Sequence, residues 1–98
     1  MRQGRRRRST LEIRLEILKE AKQVIIPTRL MYAVNLSWQP FIKQVNTLIE
    51  MGLLETTDEY KTDKRTHRMY RTTIAGAELL KQFRGPLADL VSSILKED

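Results

Sequence analysis

The most restrictive feature of this chain is the stretch from Trp38 to Gly52, whose apolar and polar residues separate cleanly on a helical wheel. Trp38, Phe41, Val45, Leu48 and Ile49 share one face, while Gln39, Lys43, Asn46 and Thr47 share the opposite one, with Gln44 at its margin. This 3.6-residue period predicts a helix over 38–51, with Pro40 tolerated in its first turn and Gly52 ending it. An apolar face needs a core supplied by the rest of the chain. Trp38 is expected inside that core, its indole N–H at the rim.

The segments on either side supply matching elements. Ser9 and Glu12 have the spacing of a capping box, so a first helix is expected from about Thr10 to about Lys22, with Ile13, Ile17, Leu18 and Ala21 on its buried face. Gln23 to Ile26 reads as a brief extended stretch, and Pro27 as the first turn of a short helix that buries Leu30, Met31, Ala33 and Val34. Asn35 is a suitable left-handed stop, Leu36 fills the turn and Ser37 offers a capping hydroxyl. Beyond Gly52, Leu53 to Thr57 and Arg68 to Thr72 read as two strands of a hairpin, joined by a long charged connection from Asp58 to His67. Thr73 caps a last helix in which Ile74, Ala77, Leu80 and Phe83 are spaced for burial. Gly85 and Pro86 should kink it. Leu80, Phe83, Leu87, Leu90 and Ile94 continue in 3-4-3-4 spacing, with Val91 and Leu95 widening the stripe, as in a coiled-coil seam.

A chain of 98 residues accommodates a single modest core. The expected division is a basic arm over 1–8, a folded domain over 9–73 and a C-terminal helix over 74–98. The absence of cysteine excludes disulfides and thiolate zinc sites, and fits a reducing interior. No apolar run reaches the ~20 residues that span a bilayer, so a soluble, cytoplasmic, nucleoid-associated protein is expected, with no membrane partner. Catalysis finds no footing: His67 is the sole histidine, it has no evident acidic orienter, and no nucleophile, metal or phosphate-cradling motif is present. Neither a cofactor nor a small-molecule substrate is expected.

The net charge of +6 is unevenly placed. Arg2, Arg5, Arg6, Arg7 and Arg8 form one cluster; Lys61, Lys64, Arg65, Arg68 and Arg71, with His67 close by, form another. Paired basic segments are the electrostatic footprint of a polyanion binder, because each neutralised phosphate releases counterions. The plainer alternative is that surface arginines only maintain solubility.

Helix, short helix, turn, amphipathic helix and basic hairpin is the element order of a winged helix-turn-helix, a mainly α, α+β fold with a small β-hairpin wing. A helix fits the DNA major groove and a hairpin can lie along the adjoining backbone. Gln39, Lys43, Gln44, Asn46 and Thr47 are accordingly the candidate groove contacts, with Arg29 and Ser37 just before them. Lys61, Lys64, Arg65, His67 and Arg68 are the candidate wing contacts. Arg5, Arg6, Arg7 and Arg8 either follow a minor groove or act as a disordered polycation that needs a partner for order. Simple solvent exposure is the competing account of the polar helix face; a single acidic residue there, Glu50, and the basic neighbours favour DNA.

Thr28-Arg29-Leu30-Met31-Tyr32, Asn35-Leu36-Ser37, Leu48 through Met51-Gly52-Leu53-Leu54, and Tyr70 to Glu78 with Thr73 and Gly76 resemble the archaeal small winged-helix DNA-binding proteins. The resemblance is greatest to the dimeric Sulfolobus-type chromatin proteins, whose C-terminal helices pair as an antiparallel coiled coil. It covers about residues 10 to 84. It implies double-stranded DNA binding as a homodimer, in transcriptional regulation or chromatin organisation, with Leu80, Phe83, Leu87, Leu90, Val91 and Ile94 at the dimer interface. Gly85, Pro86 and the arginine-rich arm depart from that pattern. A protein-interaction module built on the same scaffold is the alternative function.

Overall fold

The computed structural model describes residues 8–60 and 66–83. Within them the chain forms α1 (Thr10–Glu20), α2 (Pro27–Ala33), α3 (Trp38–Glu50), β1 (Leu54–Tyr60), β2 (Thr66–Thr72) and α4 (Ile74–Gln82). This is the expected winged helix-turn-helix α+β architecture. The part of the C-terminal helix beyond Phe83, including the kink placed at Gly85 and Pro86, lies outside the described residues.

Each helix begins and ends for a local reason. At α1 the capping box is complete: the Glu12 amide donates to Ser9 Oγ at 3.0 Å and the Ser9 amide to Glu12 Oε1 at 2.7 Å. The helix stops at Glu20, slightly before the expected Lys22, and β2 receives its end: Thr72 donates its amide to Ala21 O at 2.8 Å and its hydroxyl to Leu18 O at 2.6 Å. Carbonyls that a helix terminus leaves without partners are thereby satisfied by a strand residue 54 positions after Leu18, which ties α1 to the wing.

α2 and α3 end in the same way. Asn35 adopts φ 57° and Gly52 φ 77°, and each is followed by a residue whose amide reaches back five positions, Leu36 to Met31 O at 3.2 Å and Leu53 to Leu48 O at 3.0 Å. These are Schellman closures, in which a left-handed residue turns the chain while its successor caps the last helical turn. Only Asn35, Leu36 and Ser37 separate the C-cap of α2, Val34, from Trp38, so the two helices form a tight helix-turn-helix.

The core gathers one stripe from every element: Ile17, Leu18 and Ala21 from α1, Leu30 and Val34 from α2, Phe41, Val45 and Leu48 from α3, with Leu54, Tyr70 and Leu80. Burying an aliphatic or aromatic side chain of this size contributes about 1.5–3 kcal/mol, so this interlocked set sets the angle at which α3 meets the wing. Phe41 lies at its centre, 5.8 Å from the Trp38 ring and 6.3 Å from that of Tyr70, the latter edge-on.

Four expectations about burial and length change. Trp38 is 48% exposed, because its place in the first turn leaves it packed on the Phe41 ring with no other described element over it. Ala33 is exposed on α2. Ile74 is 84% exposed, since α4 buries Gly76 and Leu80 instead. Gly76 sits so close to the Leu53 carbonyl and the Thr72 methyl that a Cβ there would collide with both; a wheel that counts only large apolar residues misses a stripe centred on glycine. The hairpin is also longer than expected. Asp58, Glu59 and Tyr60 pair in register with Arg68, His67 and Thr66, so both ends of the charged connection are ladder. Opposite charges placed across the strands, as at Asp58 and Arg68, offset the poor strand preference of the individual residues. The extended stretch expected before Pro27 is present at Ile25, whose amide and carbonyl both bond Tyr70, covering the outer edge of β2.

Candidate nucleic-acid interface

α3 presents the site. Its buried stripe through Phe41, Val45 and Leu48 faces the core, and the geometry of a helix then turns Gln39, Lys43 and Asn46 outward along one row at i, i+4 and i+7. All three are exposed, and among the described residues none of their side chains makes a hydrogen bond or ion pair. A carboxamide, an ammonium and a second carboxamide with free hydrogen-bonding capacity suit base edges and phosphates.

The two other α3 candidates are partly engaged within the fold. Gln44 accepts a hydrogen bond from Arg14 Nε at 2.8 Å, which joins α3 to α1 and engages its amide oxygen within the fold. Thr47 donates its hydroxyl to Lys43 O at 3.0 Å, one turn back along the same helix. Ser37 is the N-cap residue of α3 as expected, yet its exposed hydroxyl makes no capping bond. Among the described residues that hydroxyl makes no hydrogen bond. Arg29 is exposed near the start of α2, on the lip of a cleft it shares with Gln23, Ile26 and Met69.

On the wing, strand alternation separates two faces. Leu54, Thr56, Tyr70 and Thr72 are on the face that carries Tyr70 against Phe41, and Arg68 belongs to the same face one pair further out. Burial raises the Tyr70 hydroxyl pKa above its ordinary 10.0, and the positive charge of Arg68 opposes that rise. Arg68 is exposed, and this sheet face is the one turned toward α3. Arg71, on the other face, is held by Glu55, Nε to Oε2 at 2.9 Å. Lys61, Lys64 and Arg65 lie outside the described residues; His67 is placed by its backbone pairing with Glu59, on the strand instead of in a loop.

The arm is described only at Arg8. Its guanidinium bonds the Val34 carbonyl at 2.8 Å and the Asn35 carbonyl at 3.1 Å and forms an ion pair with Glu16. Arg8 thus takes its order from the body of the protein, contrary to the expectation that the arm's order must come from a partner; Arg5, Arg6 and Arg7 lie outside the described residues. Leu80 is 8% exposed and belongs to the core. Phe83 is half-buried beside a cleft of about 260 Å³ between α1 and α4 that Leu15, Glu16, Lys19 and Leu80 complete. Leu87, Leu90, Val91 and Ile94 lie outside the described residues. Among the described residues no helix is long and apolar enough to cross a membrane, and no group of three or more His, Cys, Asp or Glu is placed to hold a metal.

Comparison with known proteins agrees with this architecture. The chain is 43% identical over 61 residues to the uncharacterized protein MJ0287 of Methanocaldococcus jannaschii, an alignment covering 59% of this chain and 61% of that one. The chain thus matches only about three fifths of that relative. Among solved structures, the candidate transcriptional regulator TA0346 of Thermoplasma acidophilum superposes with a TM-score of 0.67 at 18% identity, over 91% of this chain and 95% of its own. A PadR-like transcription factor of Bacteroides fragilis gives a TM-score of 0.66 at 12% identity, over 87% and 88%. A variant of ZitR from Lactococcus lactis, solved in complex with DNA, gives 0.58 at 19% identity, over 93% of this chain and 60% of its own. These similarities establish the shared fold. Residues 7–87 match the model of the winged helix-turn-helix family, and the chain belongs to that family.

Proposed function

We propose that the protein binds double-stranded DNA, with α3 in the major groove and the wing along the neighbouring backbone, as a regulator of transcription or an organiser of chromatin. The observation that carries this reading is the row of Gln39, Lys43 and Asn46: exposed, unbonded within the described fold, and held on a helix whose opposite face is fully anchored in the core. Polar groups on a rigid helix pay little ordering entropy on binding. Ser37 and Arg68 flank the row and suit phosphates, with Lys61, Lys64, Arg65 and His67 extending the wing contact and Arg5, Arg6 and Arg7 supplying a further one. The relative solved with DNA has the same fold, which supports the choice of ligand.

The assembly proposed is a homodimer formed through the C-terminal helix, with Phe83, Leu87, Leu90, Val91 and Ile94 as its seam; two copies would address two half-sites. Replacing Leu87 and Leu90 by Lys should yield monomers and weaken binding to paired half-sites, as read by sedimentation and gel shift. A dimer that survives both changes would remove the seam. The cleft between α1 and α4 favours a second reading, that of a protein-interaction module on the same scaffold.

Fluorescence anisotropy of labelled duplexes across a salt series tests the proposal. One duplex has random sequence and the other comes from the DNA upstream of the protein's own gene. Steep salt dependence on both alike indicates a chromatin organiser, and a preference of about 1000-fold for the upstream duplex indicates a regulator. No binding at low salt contradicts DNA binding and leaves the interaction module.

A further inference from the structure

Arg8 occupies the junction of three parts of the molecule. It precedes Ser9, the N-cap of α1; its guanidinium reaches the carbonyls of Val34 and Asn35, where α2 ends; and Glu16, two turns into α1, holds it by an ion pair. The acceptors are not arbitrary. The Schellman closure of α2 satisfies the carbonyls of Met31 and Tyr32, through the amides of Leu36 and Asn35, and Arg8 takes those of Val34 and Asn35, just past the end of the helix. A planar guanidinium can bond several acceptors at once in fixed directions, and a cation is favoured at a helix C-terminus. The Arg8 side chain is only 28% exposed, which limits its use as a ligand for anything outside the chain.

Arg8 also closes the run Arg5-Arg6-Arg7-Arg8. Adjacent Cα atoms are about 3.8 Å apart, so Arg5, Arg6 and Arg7 cannot lie more than about 11 Å from the Arg8 Cα, whatever their conformation. Asn35, which Arg8 grips, is followed within three residues by Trp38, the first residue of α3.

We infer that Arg8 is a positioning residue: it fastens the root of the basic arm to the helix-turn-helix turn, so that Arg5, Arg6 and Arg7 act on the same duplex as α3. This rests on the DNA-binding reading above and adds a division of labour to it. Three arginines meet phosphate or groove, and the fourth sets where they start. Anchoring one end raises the effective concentration of the arm at the DNA and lowers the entropy lost when it docks.

The test is a double-mutant cycle on the full chain with a labelled random-sequence duplex, read by anisotropy. Arg8→Lys conserves charge but cannot reproduce the three-way bond. Changing Arg5, Arg6 and Arg7 to Ser removes the arm's charge. In the native background the triple change should weaken binding at least ~10-fold at moderate salt, and in the Arg8→Lys background less than ~3-fold. A purely structural Arg8 lowers the melting temperature and gives equal arm losses in both backgrounds, and that equality overturns the inference. Should Arg8→Lys not fold, as judged by circular dichroism, Glu16→Gln replaces it; this variant removes the ion pair and keeps both carbonyl acceptors, and the same two outcomes apply. Failure of the native chain to bind the duplex at all overturns the DNA reading and the inference together, whereas binding with equal losses overturns the inference alone.

Discussion

The outer face of α3 and the joint between α1, α2 and the wing have similar polar compositions and opposite uses. At the joint, Arg8, Arg14, Gln44 and Thr72 each bond a group on another element, and Ser9 and Thr73 cap helices. On α3, the side chains of Gln39, Lys43 and Asn46 bond nothing among the described residues. Polar side chains that fix geometry and polar side chains left unbonded among the described residues are therefore segregated in space. Loss of a group of the first kind should cost stability, and loss of one of the second kind should cost binding and leave stability unchanged.

The largest expected effect removes the support common to both regions. Phe41→Ala should destabilise the fold by about 3–5 kcal/mol in denaturant unfolding, because the side chain is fully buried between Trp38 and Tyr70. A loss below about 1 kcal/mol would mean that α3 is held by something other than this contact. Next, Asn46→Ala or Gln39→Ala should change the preference between duplexes by about 1–3 kcal/mol where a base contact is well made, with the melting temperature unmoved. A large drop in melting temperature would place these residues with the joint and blur the distinction. Thr73→Ala is the converse case. Its hydroxyl caps α4 by accepting from the Gly76 amide at 3.1 Å and itself donates to Gly52 O at 2.7 Å. It should cost about 1 kcal/mol of stability and leave duplex affinity unaltered.

The smallest effect is a pH dependence. Burial raises the Tyr70 pKa in the folded state above the unfolded value near 10.0, so the folded protein retains the proton longer. The contribution is fully present below pH 10 and is lost as pH rises from there through the folded value. Tyr70→Phe should flatten this alkaline decline in a series of denaturant melts. An unchanged slope would assign the decline to other groups.

Much of this division was legible in the sequence where local rules decide the outcome. Ser9 with Glu12, Pro27, Asn35, Gly52 and Thr73 mark helix boundaries through bonds or dihedral angles within a few residues of themselves, and the structure has each of them in that role. Errors arose where the deciding partner is distant in sequence. Arg8 reads as one more member of a cationic run because its acceptors are 26 and 27 residues away. Trp38 reads as core from its wheel position, which cannot report that, among the described residues, no other element covers the first turn of α3. Gly76 is invisible to an apolar pattern although it sets how closely α4 approaches Leu53. The strands of the hairpin were cut short because their charged residues disfavour strand individually and are rescued by cross-strand pairing. In the candidate site, the row on α3 follows from periodicity alone, while the internal bonds of Gln44 and Thr47 could be known only from the fold.

The central claim is that the outer face of α3, beside the wing, is the surface that meets DNA. Amide chemical-shift mapping during titration with a short duplex tests it residue by residue. The account predicts changes concentrated at Ser37, Gln39, Lys43, Asn46 and Arg68, with Lys19 and Phe83 at the α1–α4 cleft unaffected. Changes confined to that cleft, with α3 silent, would contradict it.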